Sequence, residues 1–181
     1  MITTKTGLEI VIRCETPADY AEVNALIYES FATNADDLGD TADYFIAVRK
    51  KDTFIPALSF LAALTDGKIV GQVALYKTDI ITETRRITQL VLSPISVSPA
   101  FFKRGIAREM IAFSLSKAKE MGYTAVLLQG NPRFYEKFGF EATYKHGIFH
   151  ESDADRDAEH CMVNILTPGA LDGISGMTYY D

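Results

Sequence analysis

Apolar and polar positions along this chain fall into a series of short runs, each with the period of a strand or of a helix. Leu8-Glu9-Ile10-Val11-Ile12-Arg13 reads as a first strand. Tyr20, Val23, Leu26, Ile27 and Phe31 then recur at helical spacing, so one face of a helix packs on a core. Its start is written just upstream, with Thr16 as N-cap, Pro17 at the first helical position and Asp19 at the third. Residues 57–64 and 69–76 are two apolar, β-prone runs around Asp66-Gly67, which predicts a hairpin. Gly71, inside the second run, permits a bulge or a close backbone approach. Asp79 to Thr84 reads as a turn carrying Glu83, and residues 85–92 as the next strand. A meander of three antiparallel strands is expected to run into the segment around Pro94.

The pattern predicts a long helix from Arg104 to Met121, with Ala107, Met110, Ile111, Leu115 and Ala118 on one side and Gly122 as its left-handed stop. Residues 123–129 read as a strand, and strand, crossover helix and strand predict a parallel pair. Asn131-Pro132 starts a turn, residues 134–138 make a short helix, Gly139 ends it, and Phe140 re-enters the core. His146 and His150 are placed on a loop, followed by a charged loop from Glu151 to Glu159 and a last strand over 161–166. Residues 33–56 are a mixed connection, with a polar turn over 36–40 and a second helix over 42–50.

The chemistry concentrates in residues 87–107. The strand is expected to break at Pro94, resume as Ile95-Ser96-Val97 and turn at Pro99, before Lys103-Arg104-Gly105 opens the long helix. First-turn amides have no partner within a helix and sit at its positive end, which suits a phosphate. A bulge at Pro94 would leave main-chain groups of Ile95 and Val97 free to pair with an extended, amide-bearing ligand. A diphosphate on an amide-bearing arm describes coenzyme A. An ordinary strand-to-helix connection explains the same stretch equally well.

Phe102-Lys103-Arg104-Gly105-Ile106-Ala107 resembles the cofactor motif of the GNAT (Gcn5-related) N-acetyltransferase family, Arg/Gln-x-x-Gly-x-Gly/Ala. Phe102 departs from it, so the anion contact would rest on backbone amides and on Lys103 or Arg104. Phe134-Tyr135-Glu136-Lys137-Phe138-Gly139-Phe140 resembles a second motif of that family. In many members that tyrosine lies near the cofactor sulfur and protonates the departing thiolate. The tail after Leu166 and the Gly130-Asn131-Pro132 wording resemble a bacterial subfamily of N-acetyltransferases.

The resemblance implies one domain over residues 1–181. The implied fold is an α/β GNAT type, with a mixed, mostly antiparallel central sheet flanked by helices and parallel strands that diverge at the cofactor end. It implies acetyl transfer from acetyl-CoA to a primary amine in a ternary complex. Cofactor contacts are expected from Ile95, Ser96, Val97, Lys103, Arg104, Gly105, Ile106, Ala107, Asn131, Phe134 and Tyr135. Tyr135 is the expected acid. Glu83 is the nominal base, acting through water, although a solvated turn acid is the ordinary state of such a residue; His146 and His150 are further candidates. Loss of the motif's first residue at Phe102 keeps a second class open, an acyl-CoA sensor that does not catalyse transfer.

Composition narrows the rest. A net charge of −6 lacks the basic footprint of nucleic-acid binding. No stretch reaches the ~20 apolar residues needed to span a bilayer, and the first residues lack a leader pattern, so a cytoplasmic location is expected. Cys14 and Cys161 are too few for a disulfide framework and read as two buried thiols. No Cys/His spacing indicates a metal. The acceptor stays open between small amine, peptide and protein, and a homodimer stays open beside a monomer.

Overall fold

The computed structural model describes residues 1–32, 39–151 and 157–180. Residues 36–38 of the turn expected over 36–40, and most of the charged loop, lie outside them. The chain forms two compact units, Met1–Leu75 with Ser93–Ser114, and Tyr76–Leu92 with Leu115–Asp181. Among the described residues no helix is long and apolar enough to cross a membrane.

In the first unit, strands β1 (Ile2–Thr3) and β2 (Glu9–Cys14) pair antiparallel. The Thr16 signal works as expected: a tight turn, Pro17–Asp19, precedes helix α1 (Tyr20–Phe31), and Asp19 Oδ2 accepts from the Thr16 amide at 2.8 Å. Arg13 clamps the same carboxylate from β2 and holds it well below the usual carboxylate range. Helix α2 runs Asp40–Val48, entered through Gly39 at φ 100°, a little earlier than its apolar pattern suggests. Strand β3 (Ser59–Ala63) pairs antiparallel with β2 and with β4 (Ile69–Ile81). The hairpin closes as predicted, with Gly67 at φ 91° and Leu64 donating to Lys68 O at 2.9 Å. Strand β4 continues to Ile81, through part of the expected turn, and only residues 82–85 separate it from β5 (Arg86–Val97).

Helix α3 (Ile106–Glu120) settles on β4 because Gly71 has no side chain. A Cβ there would stand 2.8 Å from Met110 Sδ and 3.0 Å from Ile106 Cγ2. Phe60 meets Phe113 of α3 edge to face at 5.1 Å. Ser59, on the opposite face by strand alternation, donates to Glu15, which pairs with Arg49 just after α2. Arg49 also reaches Asn24 of α1. Their side chains are 1% and 5% exposed for Glu15 and Arg49, so removing either alone would strand a buried charge.

In the second unit, the 86–92 part of β5 pairs parallel with β6 (Ala125–Gln129), as the crossover pattern predicts. The register covers Leu90↔Val126 and Val91↔Leu127 and stops there, although β6 runs on to Gln129. Gln89 staples the pair, donating to Thr124 Oγ1 at 2.8 Å and accepting from the Ala125 amide at 3.0 Å. Short helix α4 (Pro132–Tyr135) and a tight turn lead to strand β7 (Phe140–Ala142). Strand β8 (Ile148–His150) precedes β9 (Cys161–Ile165), which pairs antiparallel with both β6 and β7. The tail holds one more strand than its sequence suggests. Strand β10 (Gly176–Tyr179) pairs antiparallel with the end of β4 and parallel with β8. Ile80, Ala125, Leu127, Ile148, Val163 and Leu171 form the core of this unit. The pairing is therefore mixed and mostly antiparallel, as expected.

Two expectations change here. Cys161 is buried but Cys14, at the end of β2, is exposed. His150 is not on a loop: it lies in β8, 8% exposed, with its ring 4.5 Å from that of Tyr180. His146 ends a tight turn, its Nε2 3.0 Å from Glu141 Oε1.

Candidate active site

In the first unit the stretch around Pro94 is one continuous strand rather than two, with a cis peptide at Ser93–Pro94. Ile95 is partly buried, Ser96 and Val97 buried. Ser98 donates to Val70 O at 3.0 Å, which sets this end of β5 beside β4. A tight turn, Pro99–Phe101, comes next. Lys103 then takes φ 62° and Gly105 φ 86°. These left-handed residues explain why α3 starts at Ile106, two residues later than its apolar pattern suggests. A lysine there is uncommon, and such strain concentrates at ligand clamps.

The corner is propped by the N-terminus, which sequence reasoning did not connect with it. Thr6 Oγ1 donates to Arg104 O at 2.8 Å, and a Cβ on Gly105 would stand 3.3 Å from Thr4 Cβ. Thr4 is itself buried, in a turn closed by Gly7 at φ 80°. Neither that turn nor its partner 98 residues away is part of the sequence reading. Among the described residues, the amides of Lys103, Gly105, Ile106 and Ala107 have no backbone acceptor. Lys103 and Arg104 are exposed and pair with no carboxylate among those residues. Phe102 is 44% exposed. Free amides, two cations and a helix start can together hold an anion.

In the second unit Asn131 caps α4, its Oδ1 accepting from the Arg133 amide at 3.0 Å, with Pro132 at the first position. Gly139 stops the next turn at φ 83°. Phe134 meets Tyr135 at 4.8 Å and Phe138 at 5.5 Å, both edge to face, and Lys137 Nζ lies 4.3 Å from its ring centroid. Tyr135 also meets Phe140 at 5.7 Å. Its ring lies where a Gly130 side chain would be: a Cβ there would be 2.9 Å from Tyr135 Cδ2 and closer still to Cε2. Gly130 is thus what seats the tyrosine. Burial pushes the phenol up to about 12. Its hydroxyl has no hydrogen-bond partner among the described residues, so it is free to donate to a ligand.

Glu83 is not brought to this place. It lies exposed on the turn before β5, beside an open cavity of about 760 Å³ lined also by Thr82, Arg85, Phe149 and Met177. Because β5 and β6 run parallel, the turn at 82–85 stands at their N-terminal end, whereas Asn131–Tyr135 come after the C-terminal end of β6. Four residue steps from Arg86 to Leu90 and three from Val126 to Gln129 separate them, roughly 23 Å at about 3.3 Å a step. A base works within hydrogen-bond reach or through one water. Glu83 is out of reach of any group held by Tyr135.

The sequence model of the acetyltransferase (GNAT) domain family matches residues 11–143. The uncharacterized N-acetyltransferase YhbS of Escherichia coli strain K12 is 28% identical over 171 residues, 94% of this chain and 96% of that one. A crystal structure of YhbS from Escherichia coli, in complex with CoA, superposes with a TM-score of 0.83 at 27% identity, covering 96% of this chain and 91% of that one. A GNAT family acetyltransferase from Brucella melitensis, in complex with acetyl-CoA, shares the fold at TM-score 0.77 and 24% identity, with 96% of each chain covered.

Proposed function

Because the chain belongs to the GNAT family of acetyltransferases, an acyltransferase family, we propose that it transfers an acetyl group from acetyl-CoA to a primary amine by direct attack. The observation that carries the reading is the corner at 103–107. Two left-handed residues and a helix start leave consecutive amides without backbone acceptors among the described residues, beside two cations that pair with no carboxylate among them. That is a seat for the diphosphate, with the backbone and Lys103 or Arg104 replacing the side chain lost at Phe102. YhbS with CoA and the Brucella protein with acetyl-CoA support the same ligand.

The neutral amine nitrogen attacks the thioester carbonyl, and the carbonyl electron pair moves to oxygen. An amide of Ile95 or Val97 donates to that oxyanion; a well-aimed donor is worth roughly 2.7–4 kcal/mol. The intermediate collapses, the C–S bond breaks, and Tyr135 gives its proton to the sulfur. Asn131 holds the turn that carries Tyr135, and its Nδ2 stays available to the pantetheine arm; Phe134 packs the tyrosine. The amine loses its proton to water, since Glu83 stands elsewhere. Glu83→Gln is accordingly expected to leave kcat/KM within about twofold at neutral pH, whereas an essential base would cost ~10² or more.

Thiol release from acetyl-CoA across a panel of primary amines tests the whole. Amine-dependent release supports transfer. A thermal shift with CoA but no release on any amine would make the protein an acyl-CoA sensor. No shift at all removes the ligand, since saturation at 100 times Kd stabilises by about 2.7 kcal/mol.

A further inference from the structure

Gln72 is the lone large polar residue in the apolar run of β4 over 69–76, and it has no exposed surface. Among the described residues, neither its Oε1 nor its Nε2 has a hydrogen-bond partner. Buried carboxamides are almost always paired, and an unpaired one needs an explanation. On the adjoining strand Ser96 is 1% exposed, and its hydroxyl has no partner among the described residues either. The strands are neighbours there: Ser98 donates to Val70 O at 3.0 Å, and Ser96 O lies 3.4 Å from where a Gly71 Cβ would stand.

The face is also defined. Gly71 looks toward Ile106 and Met110 of α3, so by alternation Gln72 looks to the opposite side. That side carries Leu61, its cross-strand partner, and Ser59 with its Glu15–Arg49 pair. Arg49 meets Glu15 and Asn24 through its two Nη atoms, while its buried Nε has no hydrogen-bond partner among the described residues. Two neutral side chains, each able to donate, therefore stand idle beside Ile95 and Val97, whose amides are the oxyanion donors of the proposed reaction. Glutamine has three rotatable side-chain bonds, so its carboxamide can turn toward an arriving group without moving its strand.

We propose that Gln72 binds the reacting groups, its Nε2 donating to the acetyl thioester carbonyl and its Oε1 accepting an N–H of the incoming amine, with the Ser96 hydroxyl as a second donor to the carbonyl. The proposal rests on acetyl-CoA being the donor substrate. A neutral carboxamide suits both partners, because a thioester oxygen and a neutral amine bring no net charge into a buried place. It explains why both polar atoms are left without partners among the described residues.

The test compares binding of acetyl-CoA with that of CoA, by calorimetry, in the wild type, Gln72→Met and Ser96→Ala. The wild type is expected to prefer acetyl-CoA by about 3- to 10-fold, the worth of one or two modest hydrogen bonds. Gln72→Met should bring the two affinities within about twofold and keep or raise Tm, since it removes an unpaired buried amide. Ser96→Ala, a smaller change, should narrow the preference in part, and it stands in should the methionine variant fail to fold. Equal affinities in the wild type would overturn the proposal. So would a preference that survives Gln72→Met, or a Tm that drops with the preference intact. Failure of every amine to accept the acetyl group would sink N-acetyl transfer, while the acetyl-CoA preference would still decide the thioester contact of Gln72.

Discussion

Tyr135→Phe should lower kcat by about 10²–10³ and leave the Kd for acetyl-CoA within twofold. The substitution removes one atom. Phenylalanine keeps the ring that lies over Gly130 and meets Phe134 and Phe140 edge to face, so the seat is preserved. The hydroxyl has no partner among the described residues, so its loss should not lower Tm. What disappears is the proton for the thiolate. Burial pushes this phenol up to about 12, so it stays protonated throughout the neutral and mildly alkaline range. The wild-type rate should therefore show no alkaline fall from Tyr135 until the pH approaches that value; a phenol near 10 would show one earlier. Such a weak acid can serve a thiolate only if the sulfur leaves into the same apolar surroundings, where burial raises the thiol as well. Single-turnover thiol release checks both points. An unchanged kcat in the phenylalanine variant would make Tyr135 a packing residue.

Gly105→Val should weaken binding of acetyl-CoA by at least about tenfold, with a smaller effect on kcat at saturation. At φ 86° a side chain costs about 1–2 kcal/mol, and more when β-branched. Its Cβ would also press on Thr4, 3.3 Å from Cβ, and approach the Lys5 amide at 3.7 Å. The corner must shift, and the amides at 105–107 shift with it. Each charge-assisted hydrogen bond to a phosphate oxygen is worth roughly 1.5–3 kcal/mol, so misaiming one suffices for the tenfold. Gly122→Ala is the control. That glycine has φ 88° at the other end of α3, with nothing within 4 Å of its Cβ, so it carries the backbone strain without touching the corner. It should lower Tm and leave Kd alone. A folded Gly105→Val protein that binds normally would mean the diphosphate is held elsewhere.

Much of the architecture was legible because the signals are local. Thr16-Pro17 and Asp19 start a helix through bonds within four residues, and Asp66-Gly67 closes a hairpin through its own φ values. Gly139 stops a turn for the same reason. Strand, helix and strand led to a parallel pair, because connections of that length allow little else. The long helix starts two residues later than its pattern predicts. Charge and sequence pattern favoured Arg104, but the left-handed Lys103 and Gly105 forbid it.

What the residues could not announce are the meetings of distant segments. Thr6 under Arg104, β10 laid between β4 and β8, and the exposure of Cys14 depend on which surfaces come together. Glu83 and Tyr135 shared one expected mechanism until the parallel register of β5 and β6 set them at opposite ends. Gln72 lies inside a run that the sequence marks only as apolar, and its unpaired burial appears only once neighbouring strands close around it. Capping, turns and periodicity are decided by near neighbours, so they can be read from the chain in order. Burial, reach and the pairing of polar atoms are properties of the assembled packing, and they decide which of the candidate residues can work together.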